Sequence, residues 1–251
     1  MHHADYDVLL ALVDKAMADT PNYETKLLGA AAYAQAGRLP EAETIAREVI
    51  ATYMQPRQSD ADATDTTSVT NKAIVGGFIG LLAEIATRNG RLDEAETLLQ
   101  QALALSKDHS PYANCAARLA LLRGQVDVAT RYLNIASAGY RKNHRPPSPY
   151  HDGLRAWLVA LQCEVGSAQG KIEAAIARVP ADQVTDLAEL QLVYGYIQRS
   201  QNQRQESRNH FRRAAELDTR GINAITARHE LEASAWPYQP PQPISSAPYA
   251  S

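Results

Sequence analysis

The chain has 251 residues, 45% hydrophobic and 21% charged, with a formal net charge of -3 and a pI near 6.2. That is enough apolar material to bury a core as one large or two small domains, which excludes a disordered chain and a peptide-sized scaffold. The mild acidic balance offers no electrostatic footprint for nucleic acid or an anionic membrane surface, and neither partner is expected. The longest apolar runs, Val8 to Val13 and Ile74 to Ile85, are short or broken by Gly and Glu, which argues against membrane insertion. Cys115 and Cys163 both fall inside apolar helical patterns, so they read as small buried hydrophobes rather than a disulfide framework. No signal peptide is visible in Met1-His2-His3-Ala4-Asp5, whose histidines are native or a cloning remnant. The expected localisation is cytoplasmic, with a secreted or periplasmic mature form left open.

Apolar residues recur at steps of three and four almost everywhere, while alternating runs rich in Val, Ile and Thr are nearly absent, so the expected fold class is all-α. In chain order, residues 5 to 19 form an amphipathic helix closed by Thr20-Pro21-Asn22. A helix pair follows over 23–53, turning at Ala36-Gly37-Arg38-Leu39-Pro40-Glu41-Ala42-Glu43-Thr44. Residues 54–69 are polar and acidic with no apolar stripe, and read as an inserted mobile surface loop. The second pair, 70–107, turns at Asn89-Gly90-Arg91-Leu92-Asp93-Glu94-Ala95-Glu96-Thr97, which repeats the first turn almost residue for residue. The third pair, 110–140, turns at Gly124-Gln125-Val126-Asp127-Val128-Ala129, 34 residues after the second. A basic, Pro-rich insertion at 141–149 precedes a degenerate fourth pair over 150–180, where Gly166 or Gly170 is expected to mark the turn and Pro180 to cut the second helix short. The fifth pair, 186–219, carries Asn202 in the place of the turn glycine. A helix within 221–236 is expected to pack Ile225, Leu231 and Trp236 and to turn Arg228, His229, Glu230 and Glu232 outward. The tail, 237–251, holds five prolines and is expected to be disordered.

These segments resemble tetratricopeptide repeats, a 34-residue helix-turn-helix unit. The family has small residues where its two helices touch. Here the first helices offer Ala30, Ala83, Ala117 and Gly195, and the starts of the second helices offer Ala42, Ala95, Ala129, Ala175 and Ser207. The ends of the second helices offer Ala102, Ala136 and Ala214, with Val49 as an oversized substitute. Helices approach to about 8–10 Å only where the contact points carry little side chain, and a turn glycine takes up the left-handed backbone that ends the first helix.

The resemblance implies an α-solenoid of antiparallel helix pairs, a right-handed superhelix of about five repeats capped by residues 1–22 and 221–236. It also implies a concave groove, lined by the first helix of each pair, that binds a peptide or helix of another protein. Measured from the turn, groove-facing places fall on Glu84 and Arg88, Asn114 and Arg118, Trp157, and Tyr196 and Arg199. Aromatic and Arg side chains are the types that carry binding energy when partly buried. Trp157 and Tyr196 read equally well as core between repeats. The carboxylate-holding residues of chaperone-binding members are not reproduced, since the first-pair places hold Leu27 and Ala31.

Catalytic signatures are missing: no Gly-x-Ser-x-Gly, no phosphate-binding loop, no Gly-x-Gly-x-x-Gly after a strand and no His-Glu-x-x-His. Gly76-Gly77-Phe78-Ile79-Gly80 lies inside a continuing helix, where it serves close helix packing or clears space for a ligand backbone. His144 and His151-Asp152 are separated by prolines that set no ligand geometry, and Cys115 has no His at a recognisable spacing. No metal, no cofactor and no enzymatic activity are expected. The expected function is a scaffold or adaptor for a partner protein. The rivals are a ligand- or peptide-sensing regulatory module acting with a separate effector, and a helical enzyme. The tail adds a candidate for self-association, by occupying its own groove or a neighbour's.

Overall fold

A computed structural model describes residues 5–54, 65–105, 112–162 and 165–232. Among them the regular structure is all-α, with twelve helices and no strand. The chain divides into two compact units, one of residues 1–112 with 218–226, the other of residues 113–217 with 227–251.

The first unit holds α1 (Tyr6–Asp19), α2 (Tyr23–Gln35), α3 (Leu39–Met54), α4 (Asp65–Arg88) and α5 (Leu92–Leu105). Asp5 caps α1 by accepting from the Val8 amide, and Asn22 with Thr25 forms a capping box on α2. The tight turns between α2 and α3 and between α4 and α5 form because Gly37 and Gly90 adopt φ of +75° and +72°. Helix pairs α2/α3 and α4/α5 pack side by side, with α3 on α4 and α1 on α2. The fully buried Ala30, Ala42, Ala46, Ala83, Ala95 and Ala102 stand at the contacts. Gly80 serves close packing, since a Cβ there would stand 2.5 Å from the Tyr112 ring.

One expectation fails in this unit. Asp65 to Val69 belong to α4 rather than to the inserted loop. Once a helix is nucleated each further residue adds a backbone hydrogen bond, so polar residues continue it without an apolar stripe. Residues 55–64 of that insertion lie outside the described residues.

The second unit holds α6 (Ala113–Leu122), α7 (Val126–Lys142), α8 (Pro149–Leu161), α9 (Val165–Ala177), α10 (Val184–Ser200) and α11 (Arg204–Leu217). Gly124 turns at φ +67°, and Asn202 takes the same left-handed backbone at +59°. Gly195 on α10 is required by contact: a Cβ would lie 2.4 Å from the Phe211 ring of α11. Arg141 and Lys142 finish α7, and Ser148 caps α8 by accepting from the His151 amide, with Pro149 in the first turn.

The fourth pair corrects the sequence reading. Neither Gly166 nor Gly170 is its turn, since both lie inside α9. A Cβ on either would meet nothing within 4 Å. α8 closes at Gln162, and Ala168 and Ala175 keep the spacing that Ala129 and Ala136 keep in the third pair. Ala168 is thus the early small residue and Ala175 the late one, both buried. Cys163, expected inside a helix, lies outside the described residues, while Cys115 is half-buried in α6.

The last helix, α12 (Ile222–Glu232), contributes Ile222 to Thr226 to the first unit and Ala227 onward to the second. It starts at buried Asp218, whose carboxylate accepts from the Gly221 and Asn223 amides and, at 2.6 Å, from the Tyr6 hydroxyl. Arg228, His229 and Glu232 are exposed as expected, but Glu230 turns inward. Trp236 and the tail 237–251 lie outside the described residues. No helix is long and apolar enough to cross a membrane among the described residues.

Candidate functional site

In the first unit the predicted site residues are the last two helical turns of α4. Glu84 and Arg88 stand one turn apart, hence on one face, and form an ion pair. Arg88 is 10% exposed at its side chain. It donates from Nη1 to Asn223 Oδ1 at 2.7 Å, while Thr226 Oγ1 donates to the Arg88 carbonyl at 3.1 Å. The opening turns of α12 therefore lie on this face.

In the second unit four predicted residues converge. Trp157 of α8 and Tyr196 of α10 stack with ring centroids 4.6 Å apart and planes 4° apart, and Phe211 meets Tyr196 edge-on at 5.3 Å. Trp157 and Tyr196 are buried at 2% and 3% exposure, so of their two readings the one between repeats describes them. Arg118 is 1% exposed and is likewise no open groove residue. Its neighbours on α6 are alanines and leucines that pack into the core and carry it inward with them.

Polar ends of these core residues gather around Glu230. The Tyr196 hydroxyl donates to Glu230 Oε1 at 2.7 Å, and Arg199 Nη1 donates to Oε2 at 2.6 Å. Burial, then the Glu230 charge, pushes the Tyr196 hydroxyl far above the usual phenol range, and the Arg118 charge pulls the other way. The Arg199 guanidinium lies 4.9 Å over the Phe211 ring. Arg199 and Glu230 side chains are 11% and 13% exposed, so this is a mostly desolvated pair rather than a surface one.

Asn114 belongs to a third cluster, which ties α6, α7 and α8 together. Its Nδ2 donates to the Tyr140 hydroxyl at 3.2 Å, and its Oδ1 stands 2.9 Å from His151 Nδ1. His151 Nε2 lies 2.9 Å from Ser137 Oγ, and the Tyr140 hydroxyl 2.9 Å from Ser148 Oγ. With Asn114 donating to Tyr140, the imidazole proton sits on Nδ1 and Nε2 accepts from Ser137. Burial, and then the Arg155 charge, holds His151 below the usual histidine range, against Asp152. Both ring nitrogens are thus engaged. Among the described residues no three His, Cys, Asp or Glu side chains stand together as metal ligands would.

The seven predicted residues therefore make three clusters, and Arg118, Trp157, Tyr196 and Arg199 share one of them. Glu230, Asn223, Thr226 and Arg208 were missed. Their signal was present: 223, 226 and 230 recur at three- and four-residue steps beside the small Ala224 and Ala227, marking a polar inward face. Separately, a cleft of about 600 Å³ opens between α3, α4 and α5. Ile50, Ile79, Leu82 and Leu98 line it, with Arg47 and Gln101 among its polar residues.

Helix pairs stacked through small residues, with the inner helices carrying the polar contacts, define an all-α repeat protein. Residues 79–110, the end of α4 through the Gly90 turn and α5, match the family model described as Tetratricopeptide repeat. No curated protein matches the chain. Among solved structures it is similar to the crystal structure of BtubC (BKLC) from P. vanneervenii, at 18% identity, covering 85% of this chain and 88% of that one, with a TM-score of 0.49.

Proposed function

We propose that the protein is a non-catalytic interaction module that binds a partner protein on the faces of its first helices and works in the cytoplasm. The observation that carries this reading is the hold on Glu230. Tyr196 and Arg199, both picked as partner-facing from the repeat register, bind the carboxylate of a helix through side-chain ends fixed by the core. The repeat at 79–110 supports it, since stacked repeats present extended surfaces suited to protein ligands.

A pull-down from cell lysate with the immobilised full chain, read by mass spectrometry, tests the reading. One protein should be retained in stoichiometric amount. Arg199→Ala should lower its recovery roughly tenfold, the effect of losing one anchoring contact, while Gln101→Ala on α5 should leave it unchanged. Equal recovery by both variants, or no retained protein, would defeat the proposal.

A further inference from the structure

The receptor for Glu230 is set by groups that do not depend on Glu230. The Tyr196 ring is fixed between the Trp157 face at 4.6 Å and the Phe211 edge at 5.3 Å, and Phe211 also carries the Arg199 guanidinium on its face. Locked neighbours of this kind keep a polar end aimed whether or not its ligand is present. Two donors then meet one carboxylate from different directions, with the Arg118 charge close to the same hydroxyl.

The same place also reads backbone. Here the Glu230 carbonyl accepts from Arg199 Nη2 at 3.3 Å and the Leu231 carbonyl from Arg208 Nη1 at 3.1 Å. One turn earlier Ala227 is fully buried, which lets the helix close on α10 and α11. What is recognised is a pattern rather than one residue: a small residue, a glutamate one turn later, and the backbone carbonyls beside that glutamate.

We propose that the Tyr196–Arg199 receptor is the partner subsite of the fifth repeat, and that its partner is a protein helix carrying an acidic turn of this pattern. Glu230 holds the subsite closed in cis until such a helix displaces the last turns of α12. Every hydrogen bond broken in that exchange has an equivalent formed with the incoming helix, so little interaction energy is lost. The tethered Glu230 competes through its high local concentration and raises the threshold for the partner. This inference rests on the reading that partners bind the first-helix faces.

The test uses the full chain and a fluorescein-labelled, acetylated and amidated peptide of residues 222–232, followed by fluorescence anisotropy. The Glu230→Ala chain should bind the peptide at least about tenfold more tightly than the unaltered chain, about 1.4 kcal/mol. The gain should vanish when the peptide itself carries Glu230→Ala, and when the chain also carries Arg199→Ala. A Glu230→Ala chain with an unchanged circular dichroism spectrum that binds no more tightly overturns the proposal. Should that variant fail to fold, amide exchange on the unaltered chain decides. The amides of Arg228 to Leu231 should exchange about tenfold faster than those of Leu190 to Ile197, and equal rates make α12 a permanent cap and end the proposal. The peptide readout needs no outside partner. An empty pull-down therefore defeats the adaptor reading alone, and absent peptide binding beside a successful pull-down defeats only this one.

Discussion

His151 shows how much a single buried side chain ties together. It is 1% exposed, takes one hydrogen bond at each ring nitrogen, and reaches α6 through Asn114 and α7 through Ser137. Protonating it would place a charge in a site largely removed from water and near the Arg155 guanidinium. Because burial and Arg155 lower its folded pKa, the unfolded chain takes up a proton at higher pH than the folded chain does. Stability is therefore complete above the unfolded value near 6.5 and is lost as pH falls from there toward the folded value, at up to about 1.4 kcal/mol per pH unit. Urea unfolding at pH 7.5 and 5.5 should show a smaller loss for His151→Gln than for the unaltered chain. Some slope should remain, because burial lowers His210 in the same direction. From sequence His151 reads as part of a solvent-exposed loop or, less favoured, as a metal ligand beside His144, whereas the structure buries it in α8. Its real partners lie 37 and 14 positions away in the chain, at a distance no local pattern reports.

Among the elements, α9 is the one whose sequence signal misled. Its glycines look like turn markers, yet both sit in helical backbone with open space around them, so they mark only a weak helix. Gly170→Ala should stabilise the protein by about 0.5–1 kcal/mol, because alanine removes backbone freedom from the unfolded chain and its methyl meets no neighbour. A rise in urea midpoint with unchanged slope is the check. The register itself was legible through small residues alone. Ala156, Ala168 and Ala175 keep the spacing that Ala117, Ala129 and Ala136 keep in the third pair. Glycine is one way to meet the turn's backbone demand, whereas the small contact residues answer a packing demand that every pair shares. They are the steadier guide. For α12 the reverse held: its amphipathic pattern was real, but a glutamate was assigned to water by type, and a waiting arginine and tyrosine overrode that assignment.

Within each unit, packing is handed from one helix pair to the next. Contacts run between paired helices and between a pair and its neighbour, as in α6 on α7, α7 on α8 and α8 on α10. An injury to one core position should then stay local. Leu133→Ala on α7, a fully buried site, should cost about 2–5 kcal/mol by the cavity it leaves. Hydrogen exchange should quicken in α6, α7 and α8 and stay unaltered in α1 and α2. A uniform rise across the chain would contradict this picture.

The amino-acid sequence by itself determined the helices, their pairing and the turn positions at Gly37, Gly90, Gly124 and Asn202. These depend on local periodicity and on backbone conformations that few residues adopt. Only the tertiary structure decided which polar residues face inward. A guanidinium, a phenol or a carboxylate is buried or exposed according to whether a complementary group waits across the contact, and that group comes from a distant part of the chain. Arg199 and Glu230, 31 positions apart, are two such groups.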